Sequence, residues 1–551
     1  MDKLPKGKYF RYFSFSSLIA MFISFSHYLL NENWFTTSEI TIDPWIYWGA
    51  GNNIPLSYQA DFSKTYYLER YTITFPQTLF QFLFGPYWSQ LFLVSFYIFL
   101  ITFILLLILY TLKLEQLAIP SILIFLANHK FLGMLAMSYN QAASVTLYLL
   151  FILLTIKYTQ SYYLKYAFFA GFTSGLLANA YMPHFIVAYV AAFVVIFNLT
   201  SIGSFMIWFK HTITGFVAAQ FIIQSIHYLI ARDYQIVFLK HFYFGLNLST
   251  QNNPWGGNGF TWFWSQGVFS PRGFFWSITI LIALLLLNFK HSDFGIQVLR
   301  ITAIGTFIGM AIFTFGNSNI TGYSWFSCIL YWIMLPAIVI ILYCFPNYLR
   351  ILTTFLILVF HYLVSDKQIY KIENLANSKY FRFFIITTFL FLILIQILVN
   401  ISLNRKVTVA VFLFLVVIMQ SSYFIASEGG VARNFDAKAI YTTLDREREG
   451  LKEIQNQTGR RIWVTPLESI PLQSSLLYMY SLVSTEPNKE NCPQINWMLG
   501  NKSLLVVTHS TSEKLRFIEN HFLMPCGIQA TEWNYRKINN IDFGFTPFGS
   551  A

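Results

Sequence analysis

The first residue suited to chemistry is Asp43, an acid followed directly by Pro44 and Trp45 and, soon after, by Trp48. A carboxylate can act as a general base wherever a hydroxyl group comes within hydrogen-bond distance of it. The surrounding residues also suit a plainer role, because Asp is favoured at helix N-caps and Pro at the first helical turn. The loop by itself leaves two interpretations open, a catalytic carboxylate and an acidic cap on an interfacial helix.

A second acid stands beside a cation at Glu69 and Arg70, within an aromatic stretch that continues through Pro76 to Leu-Phe-Gly at 83–85. The planar guanidinium group of arginine binds two phosphate oxygens at once, which makes Arg70 a candidate phosphate ligand. The alternative is that Arg70 anchors the chain at a membrane interface or forms an ion pair with Glu69.

A later polar segment supplies more cations and aromatic rings. Its candidate phosphate ligands are Arg232, Lys240, His241 and Arg272, and its candidate sugar-stacking rings are Trp255, Trp262 and Trp264. Each has a simpler explanation, since aromatic rings form belts at membrane interfaces and long cationic side chains extend from span ends towards water. Four cationic groups in one segment nevertheless favour contact of at least one of them with an anionic lipid.

The composition indicates which elements must position these residues. The chain of 551 residues is 56% hydrophobic and only 11% charged, whereas soluble proteins carry about 25% charged residues. These values exclude a soluble enzyme, a disordered chain and a coiled coil. The net charge of +12 lies entirely before Glu428, so no basic soluble module is available for nucleic acid. We therefore expect an α-helical polytopic membrane protein that binds membrane lipid and no nucleic acid.

A helix needs about 20 apolar residues to cross a bilayer. Candidate spans lie near 12–31, 87–112, 117–136, 142–157, 165–182, 184–199, 211–231, 274–289, 301–316, 322–345, 351–364, 381–403 and 407–426. This count of about 13 transmembrane helices, with basic residues before the first, predicts a cytoplasmic N-terminus and an external C-terminus. The first span lacks a small-residue cleavage site and is expected to be retained. On this count the basic segment 367–382 lies on the external side of the membrane, where basic residues are not expected. Either the segment binds an anion or the number of spans is wrong by two.

The spans predict two domains. Residues 1–427 form the transmembrane domain with large outer loops at 32–86 and 232–273, and residues 428–551 form a small α/β extracytoplasmic domain. In this tail we predict a helix at 437–457, strands at 461–465 and 503–508, and a helix at 512–521 with Ser512 as its N-cap. Cys492 and Cys526 share the tail and could form a disulfide in an oxidising compartment.

Residues 43–85 resemble the GT-C superfamily of membrane glycosyltransferases. The shared features are an acid soon after the first span, an interfacial helix, an aromatic–Glu–basic triplet, a proline, and a span ending in Leu-Phe-Gly. The layout is similar to that of lipid-A aminoarabinose transferases, protein O-mannosyltransferases and bacterial O-antigen glucosyltransferases. The resemblance implies that Asp43 is the catalytic carboxylate and that Arg70 contacts the donor phosphate, with Glu69 beside it.

Three departures from the pattern concern the subfamily and the acceptor site. Pro44 stands where many members have a second acid, Tyr71 follows Arg70 where a proline is usual, and segment 136–142 lacks the Arg and Asp that the family often carries there.

The implied reaction moves a sugar from a polyprenyl-phosphate carrier to a hydroxyl of a glycan, a lipid-linked glycan or a protein. We expect it at the outer face of a bacterial inner membrane, with the endoplasmic reticulum as the second choice. The expected base is Asp43, with inversion at the anomeric carbon. The outer loops lack metal-ligand motifs, so no cofactor is expected, although the sequence does not exclude a requirement for a divalent metal ion. The alternatives are a glycan polymerase or ligase, a lipid or solute transporter, and a non-catalytic scaffold.

Overall fold

The structure is a computed structural model, and the residues that it describes are 6–30, 47, 69–126, 135, 141–232, 234–250, 293–315, 332, 334–344, 437–460, 462–464, 492, 504–528 and 533–547. Up to residue 344 the described part is helical. Its helices are α1 (Lys6–Leu30), α2 (Tyr71–Thr111), α3 (Glu115–Leu126), α4 (Gln141–Ser161), α5 (Leu164–Ala180), α6 (Met182–Leu199), α7 (Ile202–Ala231), α8 (Val237–Thr250), α9 (Phe294–Phe315) and α10 (Met334–Cys344).

Five stretches of these helices are long and apolar enough to cross a bilayer. They are Trp88–Thr111, Gln141–Ser161, Met182–Leu199, Ile202–Ala231 and Phe294–Ile312. Each overlaps a predicted span, although those that begin at Ile202 and Phe294 start earlier than predicted. This confirms a helical membrane protein with several apolar spans. The spans predicted at 274–289, 351–364, 381–403 and 407–426 lie outside the described residues, so the count of thirteen stays a prediction.

Contacts between helix ends show which ends lie together. Lys8 Nζ lies 2.9 Å from Glu115 Oε2, which joins the start of α1 to the start of α3. Gln160 Nε2 donates to the carbonyl oxygen of Thr111 at 2.9 Å, which joins the end of α4 to the end of α2. We call this the lysine-rich end of the bundle, because it carries Lys8, Lys113, Lys157 and Lys165. The start of α2, at Arg70, belongs to the opposite end, which we call the Arg70 end.

Helices α5 and α7 cross where each has a glycine. A Cβ atom on Gly171 would lie 1.8 Å from the carbonyl oxygen of Thr212, and one on Gly215 would lie 1.9 Å from that of Phe168. Small residues let membrane helices approach this closely, and any larger side chain would force them apart. The crossing therefore fixes the relative positions of the two helix ends that reach the Arg70 end.

Residues 71–84, assigned from the sequence to the outer loop 32–86, form the first part of α2. The helix bends at Gly85, whose φ of 74° and ψ of 172° are not helical and whose left-handed φ suits a residue without Cβ. Pro86 follows and cannot donate a backbone hydrogen bond into the preceding turn. Part of the second predicted loop, 232–273, is also helical, because it contains α8.

The C-terminal part combines helices with a mixed sheet. Its elements are α11 (Ala437–Thr458), β1 (Ile462–Val464), β2 (Leu504–Thr508), α12 (Ser512–Ile518), a π-helical turn (Glu519–Leu523), a 3₁₀ turn (Met524–Cys526), β3 (Asn534–Ile538) and β4 (Ile541–Pro547). The strand order is β1-β2-β4-β3, with β1 parallel to β2 and the other pairs antiparallel. Helix α11 packs on the sheet at Gly450, where a Cβ would meet the ring of buried Phe543 at 2.5 Å.

The predicted elements of the tail match α11, β1, β2 and the start of the later helix. The predicted N-cap is wrong: Thr511 rather than Ser512 caps α12, and its hydroxyl accepts from the backbone N–H of Lys514 at 3.2 Å. Either hydroxyl could cap a helix, and the extended backbone of Thr511 decides which one does. Cys492 and Cys526 form a disulfide with a Cα–Cα distance of 5.3 Å.

Candidate functional site

The carboxylate of Glu69, just before α2, is buried at the Arg70 end of the bundle with 1% of its side chain exposed. Its Oε1 accepts a hydrogen bond from Lys240 Nζ, and its Oε2 lies 3.4 Å from His241 Nε2. Both partners are consecutive residues of α8, so one helix supplies a contact to each oxygen of the carboxylate. Lys240 remains 25% exposed. A buried carboxylate is costly unless it is paired, and this pairing meets that requirement.

The guanidinium group of Arg70 is fixed by two tyrosines. Arg70 is 4% exposed and donates from Nη1 to the hydroxyl of Tyr47. Its Cζ lies 5.8 Å from the centroid of the Tyr47 ring and 5.6 Å from that of Tyr181, which are cation–π distances. Arg70 is thus buried against aromatic rings, and its two alternative roles, an interface anchor and an ion pair with Glu69, stay hypotheses from the sequence.

Asn179 fixes the main chain on either side of Arg70. Its Nδ2 donates to the carbonyl oxygen of Glu69 at 2.8 Å, and its Oδ1 accepts from the backbone N–H of Thr72 at 3.1 Å. The first N–H groups of a helix have no partner within that helix, so a side chain from α5 supplies the cap that the start of α2 needs. Because Asn179 is itself buried, the cap belongs to the packed interior.

Two further histidines are buried around the same cluster. The Tyr71 hydroxyl lies 2.9 Å from Nδ1 of His227, and the ring of His184 meets that of Tyr181 edge to face at 4.6 Å between centroids. His184 lies near the start of α6 and is completely buried. Both histidines lie one contact away from Arg70 or its neighbour, so they support the cluster from α6 and α7.

Burial lowers the pKa of His241, which is enclosed at the start of α8. The contact with Glu69 opposes this shift, and the positive charges of Arg70 and Lys240 add to it. His241 is therefore neutral near pH 7, since its pKa lies below the usual value of about 6.5. Glu69, Arg70, Lys240 and neutral His241 together carry one net positive charge. Such a cluster can attract a phosphate group.

The first part of α2 has polar residues on its buried face and apolar residues on its exposed face. Thr74, Gln77 and Gln81 follow Arg70 at helical spacing and are buried. Phe82, by contrast, is 85% exposed. A helix exposed to water would have polar residues on its exposed face and apolar residues on its buried face. The observed arrangement is the opposite, so the exposed face suits contact with lipid. Arg70 therefore lies at the end of a polar strip beside a lipid-facing surface.

The structure brings together four of the candidate site residues predicted from the sequence: Glu69, Arg70, Lys240 and His241. Arg232 is exposed in a left-handed conformation at the end of α7, with φ of 53°, and within the described part of the chain its side chain makes no hydrogen bond to the cluster. The remaining candidates, Asp43, Trp255, Trp262, Trp264 and Arg272, lie outside the described residues. Among the described residues, no group of three or more His, Cys, Asp or Glu side chains could hold a metal ion.

Sequence reasoning missed three members of the cluster, Tyr47, Asn179 and Tyr181. A signal was present for Asn179, because a polar side chain near the end of an apolar run and shortly before Pro183 is unusual within a membrane span. Tyr47 and Tyr181 carry no comparable signal in a chain with 34 tyrosines.

No protein-family model matches the sequence, and no curated protein matches it. Two solved structures match the fold, both of ArnT from Cupriavidus metallidurans. The one bound to undecaprenyl phosphate covers 98% of each chain at 10% identity with a TM-score of 0.46. The apo state covers 97% of this chain and 98% of that chain at 11% identity with a TM-score of 0.47. ArnT is a GT-C membrane glycosyltransferase of the lipid-A aminoarabinose transferase type, one of the types that residues 43–85 resemble. At these values the similarity concerns the course of the chain and assigns no function.

Proposed function

We propose that this protein is a membrane glycosyltransferase that moves a sugar from a polyprenyl-phosphate carrier to an acceptor hydroxyl. The observation that carries the proposal is the pair of cations at the Arg70 end, where the buried Arg70 contacts two tyrosine rings and the partly exposed Lys240 pairs with Glu69. A fixed guanidinium and an ammonium group beside a lipid-facing helix suit a phosphate that is attached to a lipid.

The chemistry of transfer gives each cation a task. When the acceptor attacks the anomeric carbon, positive charge builds on the sugar and negative charge builds on the departing phosphate. Preorganised donors stabilise the developing charge without rearranging during the reaction. Arg70 can bind two phosphate oxygens with its planar fork, while the partly exposed Lys240 supplies a second positive charge.

The general base in this proposal is Asp43. Tyr47 contacts Arg70 and follows Asp43 by four residues. The Cα atoms of Asp43 and Tyr47 are therefore at most about 14 Å apart. A carboxylate at this range can accept the proton of the acceptor hydroxyl and also stabilise the positive sugar. One base with in-line displacement gives inversion at the anomeric carbon. The acceptor is a hydroxyl of a glycan, a lipid-linked glycan or a protein.

We place the reaction at the outer face of the membrane. Lysines are concentrated at the end of the bundle opposite to Arg70, and basic residues favour the cytoplasmic side of a membrane protein. The disulfide between Cys492 and Cys526 also suits an oxidising compartment for the C-terminal part. The lysines favour an Arg70 end that faces outward, and the disulfide favours a C-terminal part on the oxidising side; the bacterial inner membrane is the expectation drawn from the sequence.

Transfer by the purified full-length chain from labelled polyprenyl-phosphate sugars tests the proposal. Asp43→Asn should abolish transfer while the protein still folds, and Arg70→Ala should mainly weaken donor binding. Asp542→Asn changes an exposed acid of β4 in the same way and should leave transfer unchanged. Full activity of Asp43→Asn would contradict the role of Asp43, and unchanged donor affinity of Arg70→Ala would remove the phosphate role of Arg70.

A transporter is the second candidate, because ionisable side chains inside spans are typical of transport pathways. His184 and His227 are both fully buried in apolar helices. In liposomes, passage of the intact lipid-linked sugar across the bilayer without any transfer product would favour transport over the enzyme.

A further inference from the structure

The short connection between α4 and α5 brings two lysines from different helices onto one aromatic ring. Lys157 Nζ lies 5.7 Å from the centroid of the Tyr166 ring, and Lys165 Nζ lies 5.3 Å from the same centroid. Lys165 is also 5.6 Å from the centroid of Tyr163. Two positive charges thus converge at the lysine-rich end, far along the bundle from the Arg70 cluster.

The connection is held in a defined shape. The backbone N–H of Tyr162 donates to the carbonyl oxygen of Tyr158 at 2.7 Å, and that of Tyr166 donates to Tyr163 at 3.0 Å. Ser161 Oγ accepts from the backbone of Tyr163 at 3.4 Å and donates to the carbonyl oxygen of Lys157 at 2.7 Å. The turn therefore holds Lys157 and Lys165 in place relative to each other.

Negative charge is scarce around this pair. The sequence contains no Asp or Glu from Gln116 to Arg232, a stretch that includes α4 and α5. Glu115, the acid at the start of α3 at the same end of the bundle, is paired with Lys8 at 2.9 Å. Among the described residues, neither Lys157 nor Lys165 forms an ion pair with an acid. The faces of two tyrosine rings stabilise the ammonium groups, but they do not balance the positive charge.

The residues around Lys157 and Lys165 indicate whether a soluble anion or an anionic lipid would bind there. Tyr162, Tyr163 and Leu164 are each about half exposed beside the lysines, and the connection joins two apolar helices. Aromatic rings and extended lysines are typical of the level at which lipid headgroups meet the acyl chains. Exposed apolar area next to fixed cations complements a molecule that has both a phosphate and a hydrocarbon chain.

We propose that Lys157 and Lys165, together with the rings of Tyr163 and Tyr166, bind the phosphate of an anionic phospholipid of the bilayer. The site lies at the end of the molecule opposite to the Arg70 cluster and does not depend on the transferase proposal. The lipid would add an electrostatic anchor to the α4–α5 connection.

Binding of phosphatidylglycerol and of phosphatidylcholine to the purified full-length protein, measured by native mass spectrometry, tests this site. Lys157→Gln and Lys165→Gln should each weaken phosphatidylglycerol binding about fivefold, the factor expected from one lysine near an anionic surface. Lys157→Arg keeps the charge and should retain binding. The matched control is Lys210→Gln, which removes an exposed lysine of α7 outside this cluster and should have little effect.

Three outcomes would overturn the proposal. They are equal binding of the two lipids, an equal loss in Lys210→Gln, and displacement of phosphatidylglycerol by inorganic phosphate at a similar concentration, which would indicate a site for free anions. Retained binding in Lys157→Arg separates a loss of charge from a loss of folding.

Discussion

The side-chain amide of Asn179 donates a hydrogen bond to the main-chain carbonyl of Glu69 at 2.8 Å, across 110 residues of sequence. The same side chain accepts from the backbone N–H of Thr72 at 3.1 Å. Arg70 lies between these two points, so α5 fixes the backbone from which the guanidinium extends. The position of the phosphate-binding candidate is thus set by a residue that need not touch the substrate.

Replacing Asn179 by Ala should destabilise the protein and weaken donor binding together. The change leaves the N–H of Thr72 as a partly buried donor without this partner and removes the cap of α2, at a cost of about 1–2 kcal/mol. The measurements are thermal unfolding in detergent and the affinity for a polyprenyl phosphate.

Asn198→Ala is the control for this prediction. The Asn198 side chain is exposed and bonds the carbonyl oxygen of Val194 within its own helix, at 2.7 Å. Equal losses in the two variants would show that the effect of Asn179 does not come from its cap.

The pair formed by Glu69 and Lys240 should show strong coupling in a double-mutant cycle. Lys240→Met leaves a buried carboxylate without its main cation, whereas Lys240→Met combined with Glu69→Gln removes the charge as well. We expect the double variant to be more stable than the sum of single effects predicts, with a coupling of about 1–3 kcal/mol. Denaturation of the four proteins under one detergent condition measures it.

Lys8 and Glu115 provide the reference cycle. They also form an ion pair, at 2.9 Å, but each side chain is 40% exposed. Exposed pairs couple by about 0.2–1 kcal/mol because water and salt screen them. A coupling of Glu69 with Lys240 no larger than this would contradict the importance assigned to burial.

Stability should fall as the pH drops below the usual pKa of histidine. Burial lowers the pKa of His241 in the folded protein, while in the unfolded chain it is about 6.5. Below that pH the unfolded chain binds a proton that the folded protein does not, so the stabilising contribution is complete above about pH 6.5 and is lost on acidification. Unfolding temperatures between pH 7.5 and 5.5 should therefore decline.

His241→Gln should reduce this decline, because glutamine does not titrate. His211→Gln, a change on the partly exposed part of α7, should keep it. The same pH dependence in wild type and His241→Gln would assign the effect to other groups.

Features that depend on local sequence patterns were mostly predicted, whereas features that depend on contacts between residues far apart in the sequence were not. Apolar runs predicted the spans near 87–112, 184–199 and 301–316, because a bilayer selects for length and hydrophobicity alone. The sequence analysis did not predict the β3–β4 hairpin. Its two-residue turn is Asn539-Asn540, and both residues have the left-handed conformation that such a turn requires, with φ of 50° and 64°.

The candidate site was predictable only in part. Residue type and local pattern were sufficient to select Glu69, Arg70, Lys240 and His241 as candidates. Their grouping was not predictable, because Lys240 approaches Glu69 only through the packing of α8 against the start of α2. The choice of Asn179 as a cap also depends on tertiary contacts, since its partner lies 110 residues away.

The ring of Tyr181 should matter for donor binding more than its hydroxyl. The Cζ of Arg70 lies 5.6 Å from the centre of this ring, and a cation–π contact of a buried arginine contributes about 2 kcal/mol. Tyr181→Phe keeps the ring and should bind a polyprenyl phosphate like the wild type, whereas Tyr181→Leu should bind it roughly 10-fold to 30-fold more weakly. Isothermal titration in detergent measures both affinities, and the unfolding temperature confirms that each variant is folded. If Tyr181→Phe lost as much affinity as Tyr181→Leu, the hydroxyl rather than the ring would hold Arg70 in place.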